Sequence, residues 1–551
     1  MESFKVFTAV SSLQQVPLHQ TVYQWGEVMS KNLSCMSFRR SHSPETEDNP
    51  FLVPSAAEGS KSFYDFTREE SKSQKVHVCC GSSCVVAGTQ EMVHTRLAEH
   101  FTEEEIGQVR CLGRCYENKS FMFNNRTYSG SDIDTVAAIT AGNEVPSRGI
   151  CQVNVQARET MLTLPPLDLK ELYLRAATYC EKPLELIDEI KKSQLRGRGG
   201  AGFPLSVKLE SFAAAPGTHK YIVCNADEGD PGAYSDRYLL EHQPHLVLFG
   251  MLVCGLANNA AEGIIYIRCE YPEAIEKITI AIDELKKYSP FTFHICTGKG
   301  AYVCGEETAL INSIEGQRPE VMARPPYPTS EGLYGMPTLL SNVETFANFY
   351  WILHHGGERY ARYGSSKSRG NKLVSLDSSF TTPGVYEVEL GTLLADIFAT
   401  SGNGFSRPLK AIQIGGPLGG IIPIGHAELL TLDFETLQEH GFLMGHASMV
   451  GVPENFSMIH YMQHLLEFAR DESCGKCTPC RIGSQRAYEL VRNALDSNEP
   501  LPAELLEDIL WTMEKGSLCA LGGGLPLPIH NILTFFKNEL SRHISFPGGR
   551  S

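Results

Sequence analysis

The sequence predicts a multidomain α/β protein, and three patterns carry that prediction. Between about residues 180 and 365, strand-like runs (YIVCNA, GIIYIRCE) alternate with helix-like runs (HLVLFGMLVCGLANNAA, PEAIEKITIAIDELKK). That alternation is the order of a mainly parallel, Rossmann-like sheet with helices on both faces. From Lys75, a strand (KVHVC), a helix (EMVHTRLAEHF), VRC and two strands around FMFNNRTYSG make a β-α-β-β unit of thioredoxin-like kind. From Met458, four helix-patterned segments joined by short connections (MIHYMQHLLEFARDES, RIGSQRAYELVRNALDS, AELLEDILWTMEKGS, HNILTFFKNEL) read as a four-helix bundle.

Residues 1–74 are polar, with breaker-rich patches at SHSPETEDNP and SAAEGSKS, and read as an extension. A short docking helix near Tyr23–Met36 is the alternative there. The thioredoxin-like domain follows over 75–150. The α/β domain is assigned to 151–365, with 151–180 as a bridge carrying a helical patch (DLKELYLRAATYC). Residues 366–457 form a small α+β module with strands GVYEVEL and KAIQIGG and a helix at LLADIFATSG. The bundle takes 458–551. A length of 551 residues suits roughly three or four domains.

Lys plus Arg total 48 against 64 Asp plus Glu, a formal charge of -16, which disfavours a nucleic-acid partner because that surface is basic. No apolar run reaches membrane-spanning length; the best, Leu246–Ala257, is short and contains Gly250 and Gly255. The first residues, MESFKVFTAVSSLQQ, show no secretory pattern, so a cytoplasmic location is expected. In a reducing compartment, clustered members of the 17 cysteines read as metal ligands or redox groups rather than disulfides.

Cys474-Gly-Lys-Cys477-Thr-Pro-Cys480 places three thiolates in one loop, with Cys519 from a distant loop as a fourth. Three close cysteines plus one remote suit a [4Fe–4S] cluster; structural zinc is the alternative. A second set, Cys79 and Cys84 with Cys111 and Cys115, could hold a [2Fe–2S] cluster, Cys80 being a bystander. Zinc or a redox disulfide are the alternatives, although the C-x-x-C of the latter is absent.

Gly197-Arg198-Gly199-Gly200-Ala201-Gly202 matches G-x-G-x-x-G, but a helix rather than a strand precedes it, so the match to a dinucleotide fingerprint is weak. With Arg196, Arg198 and Lys208 it can still cradle a phosphate; a structural turn is the alternative. The strand Tyr221–Cys224 runs into Asn225, Asp227, Glu228, Asp230 and Gly232, at the carboxyl end where open α/β sheets bind ligands. A second candidate loop carries Tyr302, Gly305, Glu306 and Glu307. Acidic groups there could accept from ribose or ribityl hydroxyls, or simply face solvent.

The segments LRGRGGAGFP, CNADEGDPGAYSDR, GAYVCGEETALINSIEG, SNVET, ESCGKCTPCRIG and GSLCALGG, from about 165 to 540, resemble the flavin subunit of respiratory NADH dehydrogenase (complex I). The same module occurs in NAD-reducing hydrogenases and NAD-dependent formate dehydrogenases. The resemblance implies FMN held by Gly197, Arg198, Gly199, Lys208, Asn225, Asp227, Glu228, Gly305, Glu306 and Asn342. It places Glu307 and Asp230 near flavin and nicotinamide nucleotide, Phe203 and Tyr327 around the adenine, and Tyr302 beside the dinucleotide. Leu205-Ser206 and Ser341-Asn342 stand where the family usually has Thr-Gly and Asn-Asn.

Residues 75–145 resemble the thioredoxin-like [2Fe–2S] domain fused to such modules, and 366–457 would be the ubiquitin-like (SLBB) domain. The implied activity moves hydride between NAD(H) and FMN and single electrons between FMN and the clusters, with no side chain as acid or base. The beta subunit of an NAD-dependent formate dehydrogenase is the expectation, because no further ferredoxin-like domain follows the bundle. The alternatives are the matching subunit of an NAD-reducing or bifurcating hydrogenase or of complex I, an iron–sulfur scaffold without flavin, and a zinc-stabilised interaction protein. Expected partners are a small [2Fe–2S] subunit and a large molybdenum/tungsten formate dehydrogenase or hydrogenase-type subunit.

Overall fold

A computed structural model describes residues 59–143 and 151–546, except Thr218 and Asn498. The docking helix expected near Tyr23–Met36, and the extension up to residue 58, lie outside the described residues. Everything below concerns the unit Thr46–Ser551.

The first sheet contains β1 (Val76–Cys79), β2 (Ile106–Val109), β3 (Phe121–Phe123) and β4 (Arg126–Tyr128) in the order β2-β1-β3-β4. β1 runs parallel to β2 and antiparallel to β3. Val76 and Val78, two apart and therefore on one face, bury against Val93 and Leu97, four apart on helix Gln90–Ala98. A second short helix, Ser82–Ala87, was not legible as a period; it carries Cys84 to the end of β1.

The next strand, β5 (Gln152–Val155), comes from the stretch read as a bridge, yet it pairs parallel with a much later strand described below. β6 (Tyr221–Ala226), β7 (Glu262–Ile267), β8 (Thr292–Thr297) and β9 (Thr338–Asn342) form an all-parallel sheet in the order β8-β7-β6-β9. From β6 the chain first extends the sheet to one side and then crosses to the other. The topological switch therefore lies between β6 and β9, where open α/β sheets leave a crevice. The register puts Asn225 opposite Asn342 at that crevice.

Helix Pro244–Ala257 is the apolar run singled out above; it is buried on nearly every side, which explains its lack of a polar stripe. Among the described residues no single helix is long and apolar enough to cross a membrane. Gly250 lets this helix press against helix Val343–His355, because a Cβ there would lie 2.2 Å from the Phe346 carbonyl oxygen.

The third sheet contains β10 (Asn371–Leu376), β11 (Gly384–Glu389), β12 (Leu409–Ile414), β13 (Gly420–Pro423) and β14 (Ser448–Pro453), in the order β13-β12-β14-β10-β11-β5. The helix expected at LLADIFATSG is shorter than its pattern: Leu394–Asp396 is α-helical and Ile397–Ser401 widens to a π-turn closed by Gly402 N–H to Ile397 O at 3.0 Å. The widened turn lets Ile397 and Phe398 both enter the core.

Helices Met458–Asp471, Thr478–Asp496, Ala503–Gly516 and Pro526–Phe535 form the bundle, with the short helix Ala520–Gly524 inserted before the last. The fourth helix begins earlier than its sequence pattern and breaks at Phe536 before a final turn, Lys537–Leu540. Polar contacts join the first sheet's domain to the third sheet and the bundle: Ser83 Oγ donates to Asp377 (2.8 Å), and Ser82 Oγ lies 3.2 Å from His464 Nε2. We predict that Gly250→Val costs about 1–3 kcal/mol by overpacking, read as a lower urea midpoint with unchanged iron content.

Candidate functional site

The carboxyl ends of β6, β8 and β9 converge on one crevice. At the end of β6, Asn225 Nδ2 donates to Gly305 O (2.8 Å) and Asn225 Oδ1 accepts from Asp227 N–H (3.1 Å). The Asp227 Oδ2 atom is buried with no hydrogen-bond partner, and burial, only partly opposed by Arg268, pushes its carboxyl up to about 8. Gly305 faces it across open space: a Cβ there would meet nothing closer than Asp227 O at 3.5 Å.

Glu306 caps helix Glu307–Ile314, its Oε2 accepting from Thr308 and Ala309 N–H (both 2.9 Å). Glu307 lies between Lys208 (3.2 Å) and Arg324 (2.6 Å). Burial alone would raise the Glu307 carboxyl, but these two cations outweigh it and hold it below the usual range.

The glycine-rich loop bridges helix Pro183–Ser193 and helix Leu205–Ala214. It closes on itself through Gly197 N–H to Phe203 O (2.9 Å) and Leu205 N–H to Leu195 O (3.0 Å). Gly200 and Gly202 adopt φ of 124° and 60°, conformations that L side chains resist. Arg196 donates to Gly202 O (2.6 Å) and lies over the Phe434 ring.

Arg198 is turned into the core. Its Nη2 donates to Tyr360 Oη (2.9 Å) and Arg369 O (2.5 Å), its backbone N–H donates to Thr345 Oγ1 (2.9 Å), and Nε and Nη1 have no hydrogen-bond partner. Its side chain thus braces the loop from below. Gly199 packs on Asn342, where an added Cβ would come within 3.0 Å. Phe203 and Tyr327 are 51% and 57% exposed, so both rings are free to stack on a base.

Besides Glu306, two more of the expected cofactor residues serve as helix caps. Glu228 accepts from Asp236 N–H (2.9 Å) and Arg237 N–H (3.0 Å) at the start of helix Ser235–His242. Burial and the adjacent Asp236 charge push the Glu228 carboxyl up to about 7. Asn342 caps helix Val343–His355 through Oδ1 and donates from Nδ2 to Asp236 Oδ2 (2.6 Å). Tyr302 Oη donates to Asp230 (2.7 Å), while Tyr302 N–H donates to Glu472 (2.8 Å) and its ring meets Phe468 edge-on. That residue links the strand-end loop to the segment just before Cys474.

Sequence reasoning missed Asp236, His446 and Arg268. Asp236 lies within CNADEGDPGAYSDR but has no spacing signal; the others come from separate elements and have no local signature.

Cys480 is close enough to Cys474, Cys477 and Cys519 for each of the three to raise its thiol pKa, though burial raises it most. Ser473 Oγ lies 3.3 Å from Cys480 Sγ, and the N–H groups of Leu521 and Gly522 donate to Cys519 sulfur. A Cβ on Gly522 would fall 2.7 Å from Cys480 Cβ, so glycine lets helix Ala520–Gly524 close on the start of helix Thr478–Asp496. Amides aimed at sulfur and a glycine approach suit thiolates that share a charged cluster.

At the other end, Cys79, Cys84, Cys111 and Cys115 are all buried. Cys111 and Cys115 sulfurs are 3.7 Å apart, and Cys79 is hydrogen-bonded to Cys84 and Cys111. Arg268 ties this loop to the crevice, its guanidinium donating to both Glu228 O (2.5 Å) and Cys111 O (2.7 Å).

Residues 190–351 match the Nuo51 FMN-binding domain, and 460–543 the NADH-ubiquinone oxidoreductase-F iron-sulfur binding region. The chain is 38% identical over 377 residues to the NADP-reducing hydrogenase subunit HndC of Solidesulfovibrio fructosivorans, covering 66% of this chain and 76% of that one. It is 34% identical over 376 residues to the mitochondrial NADH dehydrogenase (ubiquinone) flavoprotein 1 of Dictyostelium discoideum, covering 65% and 78%. With the NAD-reducing hydrogenase HoxS subunit alpha of Cupriavidus necator it is 29% identical over 546 residues, covering 89% and 88%. The structure of an NAD+-reducing [NiFe]-hydrogenase in its H2-reduced state superposes with a TM-score of 0.81 at 25% identity, over 96% of this chain and 93% of that one.

Fold and site together define an NADH-dehydrogenase-type flavoprotein oxidoreductase component that binds FMN, NAD and a [4Fe–4S] cluster. The chain belongs to the complex I flavoprotein family, which includes components of NAD-reducing hydrogenases. The unpartnered Asp227 oxygen and the open face of Gly305 fit a hydroxyl-bearing cofactor. We predict that Gly522→Val abolishes the cluster, lowering iron by about four atoms per chain with loss of that cluster's share of the visible absorbance, while flavin content stays the same.

Proposed function

We propose that this chain is the diaphorase subunit of a multisubunit NAD(H)-linked enzyme and carries a [2Fe–2S] cluster on Cys79, Cys84, Cys111 and Cys115 besides FMN and the [4Fe–4S] cluster. The observation that carries the reading is the convergence of those four buried thiols, two of them on a loop that Arg268 fastens to the flavin strand. Bound in the crevice, FMN supplies a centre that exchanges hydride with nicotinamide and single electrons with iron–sulfur clusters.

The chain's own residues bind and orient. Asp227 and Asn225 present acceptors to ribityl hydroxyls, and the amides of Gly199 and Gly200 together with Lys208 receive the phosphate. Phe203 and Tyr327 stack on adenine, and the Asp230–Tyr302 pair borders the nicotinamide nucleotide. Glu307, held ionised by Lys208 and Arg324, contributes hydrogen bonding and charge. No side chain is required to move a proton.

A hydrogenase-type large subunit is the partner we favour, because the alignment with HoxS alpha extends over 89% of the chain. Formate dehydrogenase is the second reading, supported by the resemblance of residues 75–145 to the fused domain of some formate dehydrogenases. Purified with its native partners, the complex is expected to reduce NAD+ with hydrogen; reduction with formate instead would select the second reading. If the chain holds flavin yet NADH reduces no artificial dye, the diaphorase assignment falls.

Two residue-level outcomes follow. Asp230→Asn and Tyr302→Phe raise KM for NADH by about tenfold or more, the loss of one charge-assisted hydrogen bond, without lowering flavin content. Cys84→Ser lowers iron by about two atoms per chain and leaves NADH-to-dye turnover in place.

A further inference from the structure

The loop Gly445-His446-Ala447, between β13 and β14 and directly before the latter, is strained. Gly445 and Ala447 both have positive φ (52° and 64°), and Ala447 has a side chain that resists this conformation. The loop is wedged against the Gly415–Gly416 turn, where a Cβ on Gly445 would come within 2.4 Å of Gly415 O. Its product is a single aimed side chain. His446 is buried between two carboxylates, with Nε2 3.2 Å from Asp236 Oδ2 and Nδ1 3.7 Å from Glu228 Oε1. Ser235 Oγ lies 3.5 Å from Nδ1.

These three groups are close enough together to suggest a metal site. The ring, however, turns one nitrogen to each carboxylate, which is the arrangement of an imidazolium between two anions rather than of a ligand set pointing at one ion. Both Glu228 oxygens also accept backbone N–H groups.

We propose that His446 is a positioning residue of the flavin site, a buried cation that keeps Asp236 and Glu228 together and through Asp236 holds the Asn342 amide in place. The inference rests on the FMN reading above. Asp236 accepts from both His446 and Asn342 on the same oxygen, and its Oδ1 has no partner. Asn342 and Glu228 are both in the expected flavin set. Without the imidazolium, two buried carboxylates would face each other beside a cofactor that itself carries a phosphate charge.

Burial lowers the His446 pKa, but Asp236 and then Glu228 outweigh it and push it up to about 9. Lys372 on β10 opposes the positive charge, and Asp230 faces it from the strand-end loop. Because folding raises this pKa, the contribution of the cation is complete below the ordinary histidine range and is lost as pH rises through about 9.

The test uses flavin-stripped full-length protein titrated with FMN and followed by flavin fluorescence from about pH 7 to about pH 10. Wild type should lose affinity by about tenfold or more across the alkaline step. His446→Gln should already be weakened at neutral pH and lack the step near pH 9, any change near pH 8 belonging to Asp227, with the bound flavin's midpoint potential moved to more negative values. Asp236→Asn keeps the imidazole but removes the carboxylate that raises its pKa, so its step should move to lower pH. The double variant should recover part of the lost affinity. A His446→Gln protein with wild-type affinity and pH profile, or an Asp236→Asn step that does not move, overturns the proposal. Wild-type protein that takes up no FMN would overturn the functional reading on which it rests.

Discussion

The buried guanidinium of Arg268 is the interaction on which the geometry of this chain most depends. It follows β7, is almost inaccessible, pairs with Glu270 (2.7 Å), and donates to the backbone of both Glu228 and Cys111. A buried cation is costly unless its donors are satisfied, and here the donors are used to join two domains. Arg237 repeats the device nearby, donating to Gly113 O (3.1 Å). The thiol-bearing loop of the small domain and the acidic strand end of the large one are thereby held in fixed relation.

The same economy appears in the crevice, where few polar groups have a single task. Glu228, Glu306 and Asn342 each cap a helix, so the positive ends of three helices are turned toward the crevice that receives an anionic cofactor. Capping holds these side chains to one rotamer. The groups left unsatisfied, Asp227 Oδ2 foremost, are the ones with acceptors to offer a ligand. Tyr302 completes the layout by bonding to Asp230 on one side and Glu472 on the other, so the nucleotide loop and the cluster loop cannot shift independently.

Much of this was legible in the sequence where the signal is local. Strand–helix alternation predicted the parallel sheet, and the two cysteine sets are each brought together in space. The Gly197–Gly202 turn does follow a helix, as the residues before it required. Less legible were elements decided by distant packing. The expected helix after Leu393 gives way to a π-turn because two consecutive apolar residues are needed in one core. Arg198, read as a phosphate cation, instead enters the core beneath its own loop.

The sequence by itself determined the class of element along the chain, the cofactor chemistry its motifs can support and the thiols that can hold iron, because period, spacing and residue type are local properties. Only the tertiary structure decided that β5 joins a sheet formed mainly by residues 371–453, that Asp236 and His446 share a buried pair, and that Arg268 joins flavin strand to cysteine loop. Each of these unites residues far apart in the chain, and no local pattern encodes a contact that exists only once separate elements have packed.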